Sequence, residues 1–140
     1  MFASRMKKLL ASILVPALLG AALAFGQTSG LNVFAPISKY LASGDVESLS
    51  AWFAPTLEIS LPGIRPAECS GNQAEQILKA FFKTHVPRSF AVTHQAGRDN
   101  MKYALGELNA SGEHFIVTIF VAAKGGERFR IRQVKIDRFE

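Results

Sequence analysis

The sequence predicts an α+β domain: about three N-terminal helices packed on a strongly curved antiparallel sheet, in the order helix, helix, strand, helix and then a four-strand meander. Three observations carry that prediction. Apolar residues recur at spacings of three and four through three segments before Pro87. Beyond Pro87 the pattern changes to alternation of period two, punctuated by three turn signals. Within the last strand the alternation switches phase, which a bulge or bend must absorb.

Ahead of the domain, Arg5, Lys7 and Lys8 form a positive cluster, and an apolar run from Leu9 to Phe25 follows. It ends in Ala22-Leu23-Ala24-Phe25-Gly26-Gln27, with small residues where a signal peptidase reads. A cleavable secretory signal peptide over residues 1–26 is expected, cut after Ala24 or after Gly26. At about 17 residues the run is shorter than the roughly 20 that cross a bilayer core, so no stable membrane anchor is expected after cleavage. The expected location is therefore the periplasm or the extracellular space. Residues 27–140 form the single expected domain, long enough to bury a core without cross-links.

Charge narrows the partners. Of the 16 Lys and Arg, three lie in the leader, so 13 remain against 11 acidic residues. Such a balance is no nucleic-acid footprint. Arg128, Arg130, Arg132, Lys135 and Arg138 are read as a solvated basic edge, and no nucleic acid is expected as partner. Cys69 stands alone and reads as a small, partly buried packing residue.

The first helix is expected over Asn32 to Ser43, with Val33, Phe34, Ile37, Tyr40 and Leu41 on one face. Gly44 stops it, and Asp45 caps a second helix carrying Val46, Leu49, Trp52 and Phe53. Pro55 ends that unit, and Thr56 to Leu61 alternates as a half-buried strand. From Pro62-Gly63 to Gly71 an irregular connection is expected. Asn72 and Glu75 suggest a capping box for the third helix, whose apolar face is Ala74, Ile77, Leu78, Phe81 and Phe82, closed by His85-Val86-Pro87.

The meander then runs from Phe90 to Gln95, turns at Gly97 to Asn100, and returns through Met101, Tyr103 and Leu105. After a turn at Asn109 to Gly112 comes Phe115 to Val121, then the hairpin Lys124-Gly125-Gly126 and a last strand from Arg128 to about Arg138. There Phe129 and Ile131 have one parity, Val134 and Ile136 the other, which predicts a bulge near Gln133.

Several stretches resemble a family of small exported bacterial proteins, the domain of unknown function 4783. They are Phe34-Ala35-Pro36-Ile37-Ser38, Ser43-Gly44-Asp45 through Trp52-Phe53, Gln73 through Lys79 with Phe81-Phe82, Lys102 through Gly106, and Ile131-Arg132-Gln133-Val134. With the element order, they are also similar to the nuclear-transport-factor-2-like superfamily. That resemblance implies a cone-shaped α+β fold, export, and no assigned reaction. It also implies that a site would lie in the mouth between the curved sheet and the third helix.

Polar residues sharing an apolar parity are the candidates for such a site: His94 with Phe90 and Val92, Tyr103 with Met101 and Leu105, then Glu107 and Gln133. His94 as base with Tyr103 as electrophilic donor is the set a cone-fold isomerase or dehydratase would need. No catalytic residue is assigned, because no buried carboxylate pair, nucleophile elbow or phosphate loop accompanies them. Tyr103 is expected to fill the cone with its ring, and Gln133 to satisfy backbone freed by the bulge.

The leading expectation is a non-catalytic module that binds a small apolar ligand or a protein partner, with Trp52, His94, Tyr103 and Gln133 as the candidate ligand-binding residues. No cofactor is expected. His85, His94 and His114 lack the close spacing of a metal site, so no metal is expected either. A homodimer through the open sheet face is the further expectation, with Thr93, Gln95, Lys102, Ala104 and Thr118 on that face.

Overall fold

The computed structural model describes residues 33–139. The expected signal peptide and the start of the first helix at Asn32 lie outside the described residues. Within them, α1 (Phe34–Ser43), α2 (Val46–Ser50) and α3 (Gly71–Thr84) are the helices, and β1 (Phe53–Ser60), β2 (Ala67–Ser70), β3 (Pro87–Arg98), β4 (Met101–Ala110), β5 (Glu113–Ala122) and β6 (Arg130–Arg138) the strands. The six strands make one curved sheet in the order β2-β1-β6-β5-β4-β3. The α+β class and the meander stand as expected. The sheet, however, is mixed, because β1 runs parallel to β6.

α1 ends on Gly44, whose φ of 73° places it in the left-handed region that glycine enters without strain. Its N–H donates to the carbonyl of Leu41 and that of Asp45 to Tyr40, so the last carbonyls of the helix are satisfied. The Asp45 carboxylate then accepts from the Ser48 N–H at 3.1 Å and the Ser48 hydroxyl at 2.7 Å, capping α2. Those two bonds stabilise the charged form and hold the Asp45 carboxyl below its usual value. Phe34, Ile37 and Leu41 are the buried face of α1; Val46 and Leu49 are that of α2.

Four local expectations need correction. The second helix stops at Ser50 rather than continuing through Phe53, because Phe53 is drawn into register with Ile131 and the Ile131 N–H donates to the carbonyl of Trp52 at 2.7 Å. Strand pairing with a distant segment overrides the helical spacing there. The connection after Pro62 contains β2, which pairs antiparallel with β1; with only Cys69 buried, it carries no alternation to betray it. The third helix is capped two residues earlier than expected. Ser70 accepts from the Gln73 N–H while the Gln73 side chain accepts from the Ser70 N–H, so the capping box is Ser70 and Gln73, not Asn72 and Glu75. The last strand begins at Arg130, not Arg128.

Curvature comes from register shifts. Phe120 pairs with Gln133 and Val121 with Ile131, leaving Arg132 as the extra residue. The bulge expected near Gln133 is therefore present. It brings Ile131 and Val134, of opposite parity, onto one face, where both are 0% exposed. A second shift falls in β3, where Val92 pairs with Gly106 and His94 with Leu105, leaving Thr93 out of register.

The core lies between α3 and the meander. Leu78, Phe81 and Phe82 of α3 are buried against the face that carries Leu108, Phe115, Val117 and Ile119. Phe81 meets Phe115 edge-on at 5.6 Å between ring centroids, and His85 stacks on Phe81 at 4.3 Å. Phe34, Phe81 and Phe82 are thus core, as expected. Trp52 is only half-buried.

Candidate functional site

The two faces of the meander differ in chemistry. Toward the helices point Ala104, Leu108 and Ala110 of β4, Phe115 through Val121 at odd numbers of β5, and Ile131, Val134 and Ile136 of β6, all buried. That side is filled at Leu78, Phe81 and Phe115, where the resemblance implied a mouth. The opposite face carries Tyr103, Leu105, Ile116, Thr118, Phe120 and Ala122, all half-buried, with Met101 47% exposed. In register these become cross-strand pairs: Tyr103 with Phe120, Leu105 with Thr118, Met101 with Ala122. The outer face is therefore a continuous apolar surface rather than a scatter of exposed residues.

His94 and Tyr103 lie on this outer face, not inside the cone. Their rings are 5.9 Å apart, so they do come together, and His94 is exposed. Two physical reasons explain the misplacement. On β4 the inward positions are Ala104, Gly106, Leu108 and Ala110, mostly small residues with a weak apolar signal, while the outward Met101, Tyr103 and Leu105 look like a core stripe. On β3 the shift at Thr93 turns His94 away from the face of Phe90 and Val92. Tyr103 consequently does not fill the cone, and Glu107, beyond Leu105 on the same face of β4, is exposed.

Gln133 also faces outward. Tyr103, Phe120, Gln133 and Glu58 form one row across β4, β5, β6 and β1. The Gln133 amide donates to the Glu58 carboxylate at 3.2 Å, not to backbone released by the bulge. A groove of about 520 Å³ runs beside this row, lined by Thr56, Glu58, Met101, Phe120, Arg132 and Gln133 among others. Three of the four candidate ligand-binding residues thus share one face. Trp52 does not; it sits where α2 meets β1, with the Arg128 guanidinium carbon 5.8 Å from its ring.

The expected outer-face set needs matching revision. Thr118 lies there, but Ala104 is 2% exposed on the core face, and Lys102 and Gln95 share its side by register. What the parity of β4 concealed, β5 shows plainly. From Phe115 to Val121 both parities are apolar apart from Thr118, the pattern of a strand covered on two sides. That was the signal for the outer patch.

Chemistry elsewhere is sparse. Burial pushes the Cys69 thiol above its usual pKa and the Glu68 charge adds to it, so the nucleophilic thiolate is disfavoured. Among the described residues no three His, Cys, Asp or Glu side chains gather in a way that would hold a metal ion. No helix of the described residues is long and apolar enough to cross a membrane.

The model of the family described as "Domain of unknown function (DUF4783)" matches residues 34–137. A DUF4783 family protein from Bacteroides uniformis is similar at a TM-score of 0.72 and 23% identity, covering 77% of this chain and 98% of that one. One from Bacteroides ovatus gives 0.69 and 23%, covering 74% and 93%. The protein called "Rd1NTF2_04 with long sheet" gives 0.62 and 12%, covering 77% and 99%. No curated protein matches.

Proposed function

We propose that this chain, which belongs to the DUF4783 family of unknown function and has the nuclear-transport-factor-2-like fold, is an exported, non-catalytic binding module that works through the outer face of its sheet. The observation supporting this reading is the apolar outer surface of Met101, Tyr103, Leu105, Ile116 and Phe120. A surface of that character costs free energy in water and is relieved by a partner. The first partner in view is a second copy, since a sheet face can pair with itself about a twofold axis. His94 and Tyr103 gain no support as catalysts: His94 is exposed, so their partnership is open to solvent.

Light scattering on the full chain, over about a hundredfold range of concentration, tests the pairing. Self-association is expected, and Phe120→Lys is expected to weaken it about a hundredfold while leaving the far-ultraviolet spectrum unchanged. A strict monomer across the whole range would defeat the homotypic form of the reading. Export is supported by the charged start, the short apolar run and the small-residue exit before Gln27. Sequencing the N-terminus of protein recovered from outside the cytoplasm should begin at Phe25 or Gln27. An intact Met1 there would overturn the cleavage.

A further inference from the structure

A separate surface carries a second inference. Between the pairs Phe53–Ile131 and Glu58–Gln133, four residues of β1, Ala54 to Leu57, pass while β6 advances by Arg132 alone. β1 bows away from β6 at this point. The opening continues into two adjoining hollows of about 810 Å³ and about 240 Å³. Both are lined by Ala54, Pro55, Glu127, Arg128 and Arg130, so they form one trough from the start of α3 across β1 to Arg132.

Four cations line it: Lys124, Arg128, Arg130 and Arg132. Among the described residues none of the four forms an ion pair, although Lys79, Lys135 and Arg138 all do. Arg128 lies over Trp52, and Arg130 donates to the carbonyl of Ala51, so two of the heads are held in place by neutral groups. Their charge is left for something else. The floor is apolar, formed by Phe53, Ala54 and Pro55.

We infer that this trough is a docking site for an acidic polypeptide segment, one that alternates carboxylates with small apolar residues. Two hollows in series suit an extended chain better than a small anion, which a single site would enclose. All four cations line the smaller hollow, and Arg128 and Arg130 also line the larger, so a chain that crosses both can set several carboxylates against them. Glu127 and Glu75 on its walls argue against nucleic acid, whose every unit carries a phosphate, whereas a peptide can place neutral residues there. Charge complementarity of this kind speeds encounter and selects the partner, and salt weakens it. The trough meets the outer sheet face at Ala122 and Arg132, which also line the groove there.

Trp52 is the sole tryptophan, and the arginine over its ring makes it a natural reporter. The full chain is titrated at low ionic strength with a synthetic peptide of alternating glutamate and alanine, by Trp52 fluorescence and by calorimetry. Saturable binding that weakens with added salt is expected. The triple variant Lys124→Gln, Arg128→Gln, Arg132→Gln is expected to bind at least about tenfold more weakly. A charge-matched control, Lys39→Gln, Lys83→Gln, Arg98→Gln, is expected to keep its affinity. Absence of binding, equal losses in both triple variants, or tighter binding of an oligothymidylate of equal charge would each overturn the inference. None of these outcomes bears on self-association, which light scattering reads separately.

Discussion

Replacing Gly106 with Ala is expected to lower the unfolding free energy by about 2–3 kcal/mol, in the range measured for overpacked cores. The reason is a ring laid over bare backbone. A Cβ at Gly106 would stand 2.3 Å from Cζ and 2.6 Å from Cε1 of Phe90, and 2.8 Å from the carbonyl oxygen of Ala91. Gly106 pairs with Val92, one residue before the shift at Thr93, so β3 is held close here and has little room to withdraw. The ordinary gain of Ala over Gly in a strand, about 0.5–1 kcal/mol, works in the opposite direction and is outweighed. In a domain of this size the melting temperature should fall by roughly 15 °C. Adding Phe90→Ala removes the ring but leaves the Ala91 carbonyl, so a double-mutant cycle in urea should show strong coupling and partial rescue. A Gly106→Ala variant that melts within a few degrees of the parent would refute this packing.

Phe115→Ala is expected to cost more, about 4 kcal/mol. Phe115 is 0% exposed, edge-on to Phe81 and to His85, and the Arg138 guanidinium carbon lies 5.6 Å from its ring on the rim. Loss of the ring leaves a void beneath the last turn of α3 that Phe81, His85 and Arg138 cannot all collapse to fill. Against a net stability of about 5–15 kcal/mol, such a loss is a large fraction of the whole. Its neighbour Ile116 points to the other side and is half-buried, so Ile116→Ala should cost about 1 kcal/mol. Urea unfolding of the two variants compares the faces directly. Equal losses would mean that the inner and outer faces of β5 have been assigned the wrong way round.

Local sequence carried much of the fold because much of the fold is locally encoded. Gly44 with Asp45 states where one helix ends and the next begins, and Ala74 through Phe82 repeat on one face of α3. The phase switch between Ile131 and Val134 could be resolved only by a bulge, and Arg132 is that bulge. The boundary at Phe53 was not legible, because its partner Ile131 lies far along the chain and no local pattern announces a parallel pairing. β2 was hidden for the opposite reason: it is so short and exposed that pairing with β1 is all that defines it.

The candidate residues fared according to the strength of the parity signal beneath them. Phe81 and Phe82 sit on a long helix where the inward face is unambiguous. Tyr103 sits on a strand whose inward positions include Ala104 and Gly106, so the larger outward residues mimic a core. Small inward residues are what allow Phe90 to lie across β4, and the same adaptation reverses the apparent faces. His94 follows a shift at Thr93 that leaves no trace in composition. Trp52 falls in line with Val46, Leu49 and Phe53 by spacing, yet it stands at a junction beneath Arg128.

The extra residue in β6 has a consequence for how this surface can change over time. An ordinary strand position belongs to one face or the other, and altering it disturbs either the buried layer or the outer one. Arg132 is out of register with both neighbouring strands, while Ile131 and Val134 on either side are fully buried. Its side chain can therefore be exchanged with little penalty to the domain, provided the additional backbone unit is kept. A position of that kind is evolutionarily cheap to retune: relatives could carry opposite charges there, and so prefer different partners, on one unaltered scaffold.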